Sequence, residues 1–311
     1  MGSLGFGARL ALRQPAQSGG AAAIDFTGGT LPAGVTLLRA SPGGRVNAAG
    51  AFVVEAADVA RFDHDPVTRL SRGLLFEPGA TNVLLQSGTA SGWTVSNMTR
   101  GGGAAFAGAP ELAVFTQAAG TGLHRLSRAA GDGEGSFTLS LFVRGSAAAP
   151  VVGLTRETIA WFNTQTGQWL ATGGFTSAVA VPLGDGAWRL AVSYDLPAGA
   201  PTVLYVYASN RAATVPSPGF AGGEEMWLGG LQVEAGAIAS SAIATTGAPV
   251  TRAADQLTID WASRGVADGA ITARVTFDDL TTQDVAVTVA GGVGALPATL
   301  ARPRIRRIER I

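Results

Sequence analysis

The 311-residue chain contains neither cysteine nor lysine. The first absence excludes disulfides, thiolate nucleophiles and cysteine-based zinc sites. The second makes every fixed cation an arginine and, with abundant alanine and glycine, points to a GC-rich bacterial coding sequence. There are two histidines, His64 and His124, too few to build a histidine-based metal centre. Mean hydropathy is +0.27, yet no run of about 18 apolar residues occurs, so no membrane-spanning helix is expected. Lys+Arg and Asp+Glu are each 22, for a net charge of zero. Overall attraction to nucleic acid or anionic membrane is therefore not expected. No segment longer than about ten residues keeps a helical period.

What is present is alternation. In "SFTLSLFVRG", Phe137, Leu139, Leu141 and Val143 share one face, with Thr138, Ser140, Phe142 and Arg144 on the other. In "TVLYVYASN", Val203, Tyr205 and Tyr207 oppose Leu204, Val206 and Ala208. "WRLAVSYDL" and "EMWLGGLQVE" read as two more strands, and "FNTQTGQWL" as a hairpin around Asn163–Gly167. Glycine (44) and proline (15) punctuate these short segments. The expected fold class is all-β: a central jelly-roll β-sandwich with a small N-terminal β region and a small C-terminal β module.

Composition divides the chain into an extended arm over 1–25, a β-rich region over 26–85, the sandwich over 86–250 and a terminal module over 251–311. In the arm, Leu4, Phe6, Ala8, Leu10 and Leu12 alternate with polar positions. A terminal strand of this kind docks on its own fold or adds to a neighbouring subunit. Leu4, Phe6, Leu10 and Leu12 are its attachment candidates. Arg9 interrupts any apolar signal core, so no secretory leader is expected.

The segment "FDHDPVTRLSRGLLFEPGATNVLLQS" places Asp63, His64 and Asp65 side by side. Neighbours in an extended chain point to opposite faces, and Asp65-Pro66 is a turn-starting pair. The reading is a structural turn, not a catalytic or metal site. This segment resembles one found repeatedly in structural proteins of tailed bacteriophages and gene transfer agents, although Arg69 and Leu70 stand where glycine and a small residue are commoner. "WLGGLQVEAGAIASSAIATTGAPVTRAAD" resembles the closing segment of the same proteins, and "VTFDDLTTQDVAVTVAGG…RPRIRRIERI" their small end-module. The stretch between is similar to jelly-roll carbohydrate-binding modules.

The resemblance implies a virion component: a head spike or tail fibre of a phage or gene-transfer-agent particle, assembled in the bacterial cytoplasm. Its implied partners are other virion proteins (capsid, spike base or tail) and host surface or capsular polysaccharide, and it implies a homo-oligomer. Neither nucleic acid nor membrane insertion is expected. The arginine-rich tail "RPRIRRIERI" reads as solvated or inter-subunit arginines around Ile305, Ile308 and Ile311. No cofactor is expected, although modules of this kind often carry a structural calcium ion.

Sugar rings present C–H groups to aromatic faces and hydroxyls to planar polar groups. Candidates for such contacts are Trp161, Trp169, Tyr205, Tyr207, Phe142 and Arg144. A capsule depolymerase would need two facing carboxylates. No pair stands out among Asp132, Glu134, Glu157, Asp185, Asp195, Glu224, Glu225 and Glu234, so no enzyme is expected. A collar or adaptor without a ligand is the other alternative.

Overall fold

The computed structural model describes residues 23–156, 158–200, 203–210 and 219–311. The attachment candidates Leu4, Phe6, Leu10 and Leu12 lie outside them. The described chain is all-β, and every strand pairing within its sheets is antiparallel.

Two six-stranded sheets stack as the sandwich. One runs Ser177–Pro182, Trp188–Leu196, Gly135–Gly145, Glu225–Ala235, Leu112–Gln117, Met98–Ala104. The other runs Gln168–Ala171, Ile159–Asn163, Val151–Thr155, Val203–Ser209, Arg125–Ala129, Thr94–Ser96. We call them the junction sheet and the aromatic sheet. The alternating positions read from sequence supply the core between them: Leu139, Leu141 and Val143 from one, Leu204, Val206 and Ala208 from the other. The Asn163 side chain accepts from the N–H groups of Gln165 and Thr166, which fixes the predicted hairpin.

A second core lies outside the sandwich. A six-stranded sheet joins Phe62–His64 and Ser71–Leu75 to Arg304–Arg310, Gly269–Phe277 and Thr282–Val289, with Ile24–Asp25 on the Arg304–Arg310 edge. A three-stranded sheet pairs Val35–Leu38 with Gln256–Asp260 and Val293–Ala295. The stretches 26–85 and 251–311, separate in sequence, thus share sheets and one apolar cluster including Phe26, Leu37, Phe76, Trp261 and Val275. Ile305 and Ile308 are buried in it, whereas Ile311 is exposed. A register shift opposite Thr276/Phe277 brings Ile305 and Ile308, three apart, onto one face.

The Asp63-His64-Asp65 segment belongs to this base. Asp65 Oδ1 accepts from Val67 N at 2.9 Å and Thr68 N at 2.8 Å, and its carbonyl accepts from Arg69 N at 2.9 Å. Arg69 sits in the left-handed region at φ 65°, where glycine is usual. Asp63 points elsewhere, to Val46 N at 2.8 Å and Arg304 Nε at 2.6 Å. The histidines do not converge: His64 faces the Phe62 carbonyl, and buried His124 meets Gln117 in the sandwich.

Where the base meets the sandwich, the chain buries an ionic node. Asp255 binds Arg61 at 2.6 Å and Arg39 at 3.3 Å; Glu77 binds Arg61 at 2.7 Å and lies 3.8 Å from Arg252. All five side chains are nearly inaccessible. Burial pushes the Glu77 carboxyl upward, but Arg61, Arg252 and a hydrogen bond to Ser241 outweigh it and hold it down at about 2. A depressed carboxyl stabilises the fold at pH values above its unfolded pKa, and that contribution disappears as pH falls through the folded pKa. Glu77 is therefore expected to contribute on the order of 3 kcal/mol above about pH 4.5, lost by about pH 2. Melting curves across that window check this; a flat melting temperature there contradicts it.

Candidate functional site

The outer face of the aromatic sheet gathers three of the six sugar-contact candidates. Register pairs Thr155 with Tyr205, and Arg125 and Gly153 with Tyr207, and Gly153 with Trp161. Tyr205 and Tyr207 stack with ring centroids 6.0 Å apart, and Trp161 lies 6.1 Å from Tyr207. Gly153 is required beneath this row, because a Cβ there would come within 2.6 Å of the Trp161 ring. Trp161 is 1% exposed and Tyr207 8%, so they form the foundation and half-buried Tyr205 the accessible ring.

Arg125 and Thr155, which the sequence reading missed, complete this surface. The Arg125 guanidinium carbon sits 4.5 Å from the Tyr205 ring centroid, and its Nη1 is 3.5 Å from the Tyr207 hydroxyl. Arg125 Nε and Thr155 Oγ1 are buried without a hydrogen-bond partner among the described residues. Those two atoms are enclosed, so what a hydroxyl-rich ligand meets here is the half-buried Tyr205 ring with the Arg125 side chain beside it. The available signal was the alternation of Arg125 and Ser127 around core Leu126.

The other three candidates lie elsewhere. Trp169 turns to the sandwich core, where its ring meets Phe162 edge-on at 5.1 Å. Phe142 is 3% exposed and covered by Phe52 from the base, centroids 6.1 Å apart. Arg144 lies on the same outer face of the junction sheet, beside an end pocket of about 580 Å³.

Between the junction sheet and the base is a cleft of about 510 Å³. Several carboxylates line it, the arrangement a hydrolase would need, but each is matched to arginine. Asp63 pairs with Arg304 at 2.6 Å, Glu77 with Arg61 at 2.7 Å, Asp279 with Arg302 at 2.8 Å and Asp278 with Arg72 at 3.9 Å. In the sandwich, Asp132 is held by Arg156 at 2.7 Å and by the Tyr194 hydroxyl at 2.8 Å. Buried Glu234 accepts from Gln232 and Ser240; burial pushes its carboxyl upward despite those bonds. Glu157 lies outside the described residues. No group of three or more metal-ligating side chains occurs among the described residues, and none of their helices is long and apolar enough to cross a membrane.

No protein-family model and no curated protein matches the chain. Among solved structures, it is similar to a mutant of a carbohydrate-binding module of family 29: 13% identity and TM-score 0.26, covering 51% of this chain and 93% of that one. It is also similar to the CBM22-1 xylan-binding domain from Paenibacillus barcinonensis Xyn10C: 16% identity and TM-score 0.29, covering 54% and 99%.

Proposed function

We propose that this protein is a non-enzymatic component of a phage-like or gene-transfer-agent particle, a head spike or fibre subunit, whose sandwich holds host surface or capsular polysaccharide. The observation that carries the sugar-binding reading is the outer surface of the aromatic sheet. There, a half-buried tyrosine on a packed aromatic row lies beside an arginine whose guanidinium stacks on its ring. The particle assignment rests on the sequence segments that resemble virion proteins. A shallow site of this kind binds weakly, and repetition in a homo-oligomer raises avidity.

The decisive experiment incubates purified protein with host capsular polysaccharide and follows both retention and polymer length. Retention without shortening is expected. Neither effect would favour a collar or adaptor, and shortening would favour a depolymerase. Tyr205→Ala is expected to weaken retention roughly 5- to 30-fold, since one aromatic platform contributes about 1–2 kcal/mol, while a melting curve that is cooperative and only modestly lowered reports that the fold is kept. Equal retention by parent and variant would remove this surface from the proposal. Co-purification with particles, together with mass in solution, tests the virion assignment separately.

A further inference from the structure

The end pocket of the junction sheet has a construction that polysaccharide binding at Tyr205 does not use. Trp188 and Trp227 line it, with Arg144, Gln165 and Ser146. Arg144 is held from several sides. Its guanidinium carbon sits 4.7 Å from the Trp227 ring centroid and 5.3 Å from that of Phe106. Its Nε donates to the Asp185 carbonyl at 2.9 Å. Asp185 offers that carbonyl from the left-handed region, at φ 59°, and its own carboxylate accepts from Ala107 N at 3.1 Å. Among the described residues no carboxylate lies within ion-pair distance of Arg144, and its two terminal nitrogens have no hydrogen-bond partner.

The remaining walls are equally fixed. Trp188 Nε1 donates to the Thr164 carbonyl at 2.8 Å, and its ring packs edge-on to Phe162 at 5.1 Å. Gln165 Nε2 donates to the Gly145 carbonyl at 2.9 Å, which leaves its amide oxygen free to accept. A pocket of about 580 Å³ lies within the ordinary size range of small-molecule sites. Indole faces suit the C–H surfaces of a sugar ring. A guanidinium fork with open donors suits a carboxylate, in the bidentate geometry that ammonium lacks.

We propose that this pocket is a second saccharide site, selective for a carboxylated sugar, a uronic acid residue within an acidic polysaccharide. The carboxylate takes the open donors of Arg144, the Gln165 amide oxygen accepts from a ring hydroxyl, and the sugar's C–H edge meets the parts of Trp188 and Trp227 that line the pocket and that Phe162 and Arg144 leave uncovered. The pocket lies at the end of the sandwich, lined by the junction sheet and by Thr164 and Gln165 of the Asn163–Gly167 hairpin, and shares no residue with the Tyr205 surface, so it stands or falls independently of it.

The test is calorimetric titration of the whole protein with galacturonate, glucuronate, mannuronate and guluronate oligosaccharides, each alongside its carboxyl-reduced counterpart. At least one acidic member is expected to bind, and carboxyl reduction to weaken it about 10- to 100-fold, the worth of a charge-assisted pair. Arg144→Gln is expected to produce the same loss, and Tyr205→Ala none. Arg144 is only half buried, and a preserved melting temperature will report the variant's fold; if that fold is lost, the carboxyl-reduction comparison alone decides. Absence of binding by every acidic member at millimolar concentration overturns the proposal. So does equal binding of acidic and reduced forms, or acidic binding that Tyr205→Ala abolishes and a folded Arg144→Gln spares.

Discussion

Asp255→Asn is expected to lower the unfolding free energy by about 3–5 kcal/mol, the usual cost of breaking a buried ion pair from one side. The node holds three guanidiniums against two carboxylates, Asp255 and Glu77. Removing one charge leaves Arg39, Arg61 and Arg252 facing Glu77 alone, in a place water does not reach. Asp255 also accepts from Glu77 N at 2.8 Å, so the change disturbs backbone as well as side chains. Native domains retain only about 5–15 kcal/mol in total, so the loss is a large fraction of what holds the base together. Urea denaturation checks it: the midpoint should fall with little change in slope. A loss below about 1 kcal/mol would mean that the node behaves as an exposed surface pair.

Gly73→Ala is expected to cost about 2–5 kcal/mol, from backbone strain and overpacking together. Gly73 lies in the Ser71–Leu75 strand at φ 94°, which side chains of L-residues rarely adopt. A Cβ there would sit 2.1 Å from the Ile305 carbonyl oxygen. That atom is backbone, and the strand that owns it pairs Arg304 with Leu75 and Ile305 with Leu74. The methyl can be accommodated only by parting the two strands, which would loosen Ile305 and Ile308 from their core. Hydrogen exchange should show the Arg304–Arg310 amides losing protection first. Protection equal to the parent would refute the clash.

The sandwich was legible in the sequence because period-two alternation fixes which side chains face inward. Leu139, Leu141 and Val143, and Leu204, Val206 and Ala208, take the inner faces their spacing assigned. Local turn chemistry was legible too, as at Asp65 and Asn163. Long-range partnership was not, because alternation names a face but no neighbour. Nothing near Phe142 announces that Phe52 covers it, and nothing near Asp63 announces Arg304. Trp169 faces the core because it pairs with core residue Phe162 and cross-strand partners share a face; flanking the hairpin turn did not reveal which face that is. The polar residues of the virion-like segments, Glu77, Asn82, Gln232, Glu234 and Asp255, bind Arg61, one another or the backbone. Those polar residues therefore serve architecture; of the residues proposed to meet ligands, Trp227 alone lies in these segments, at the start of the closing one.

The chain enters the sandwich through Ala80–Asn82 and leaves through Val250–Arg252, and these two short strands pair antiparallel. The entry and exit strands of the sandwich thus lie side by side, next to the Phe52–Phe142 contact and the ionic node where it packs on the base. Recombination between related genes that cut at this strand pair could exchange one sandwich for another without rethreading the base, provided the contacts to Phe52 and Glu77 are kept, since domain insertions succeed where the termini lie close together. A lineage built this way could replace its outer sandwich surfaces in one genetic step, keeping unaltered every strand that pairs in the base.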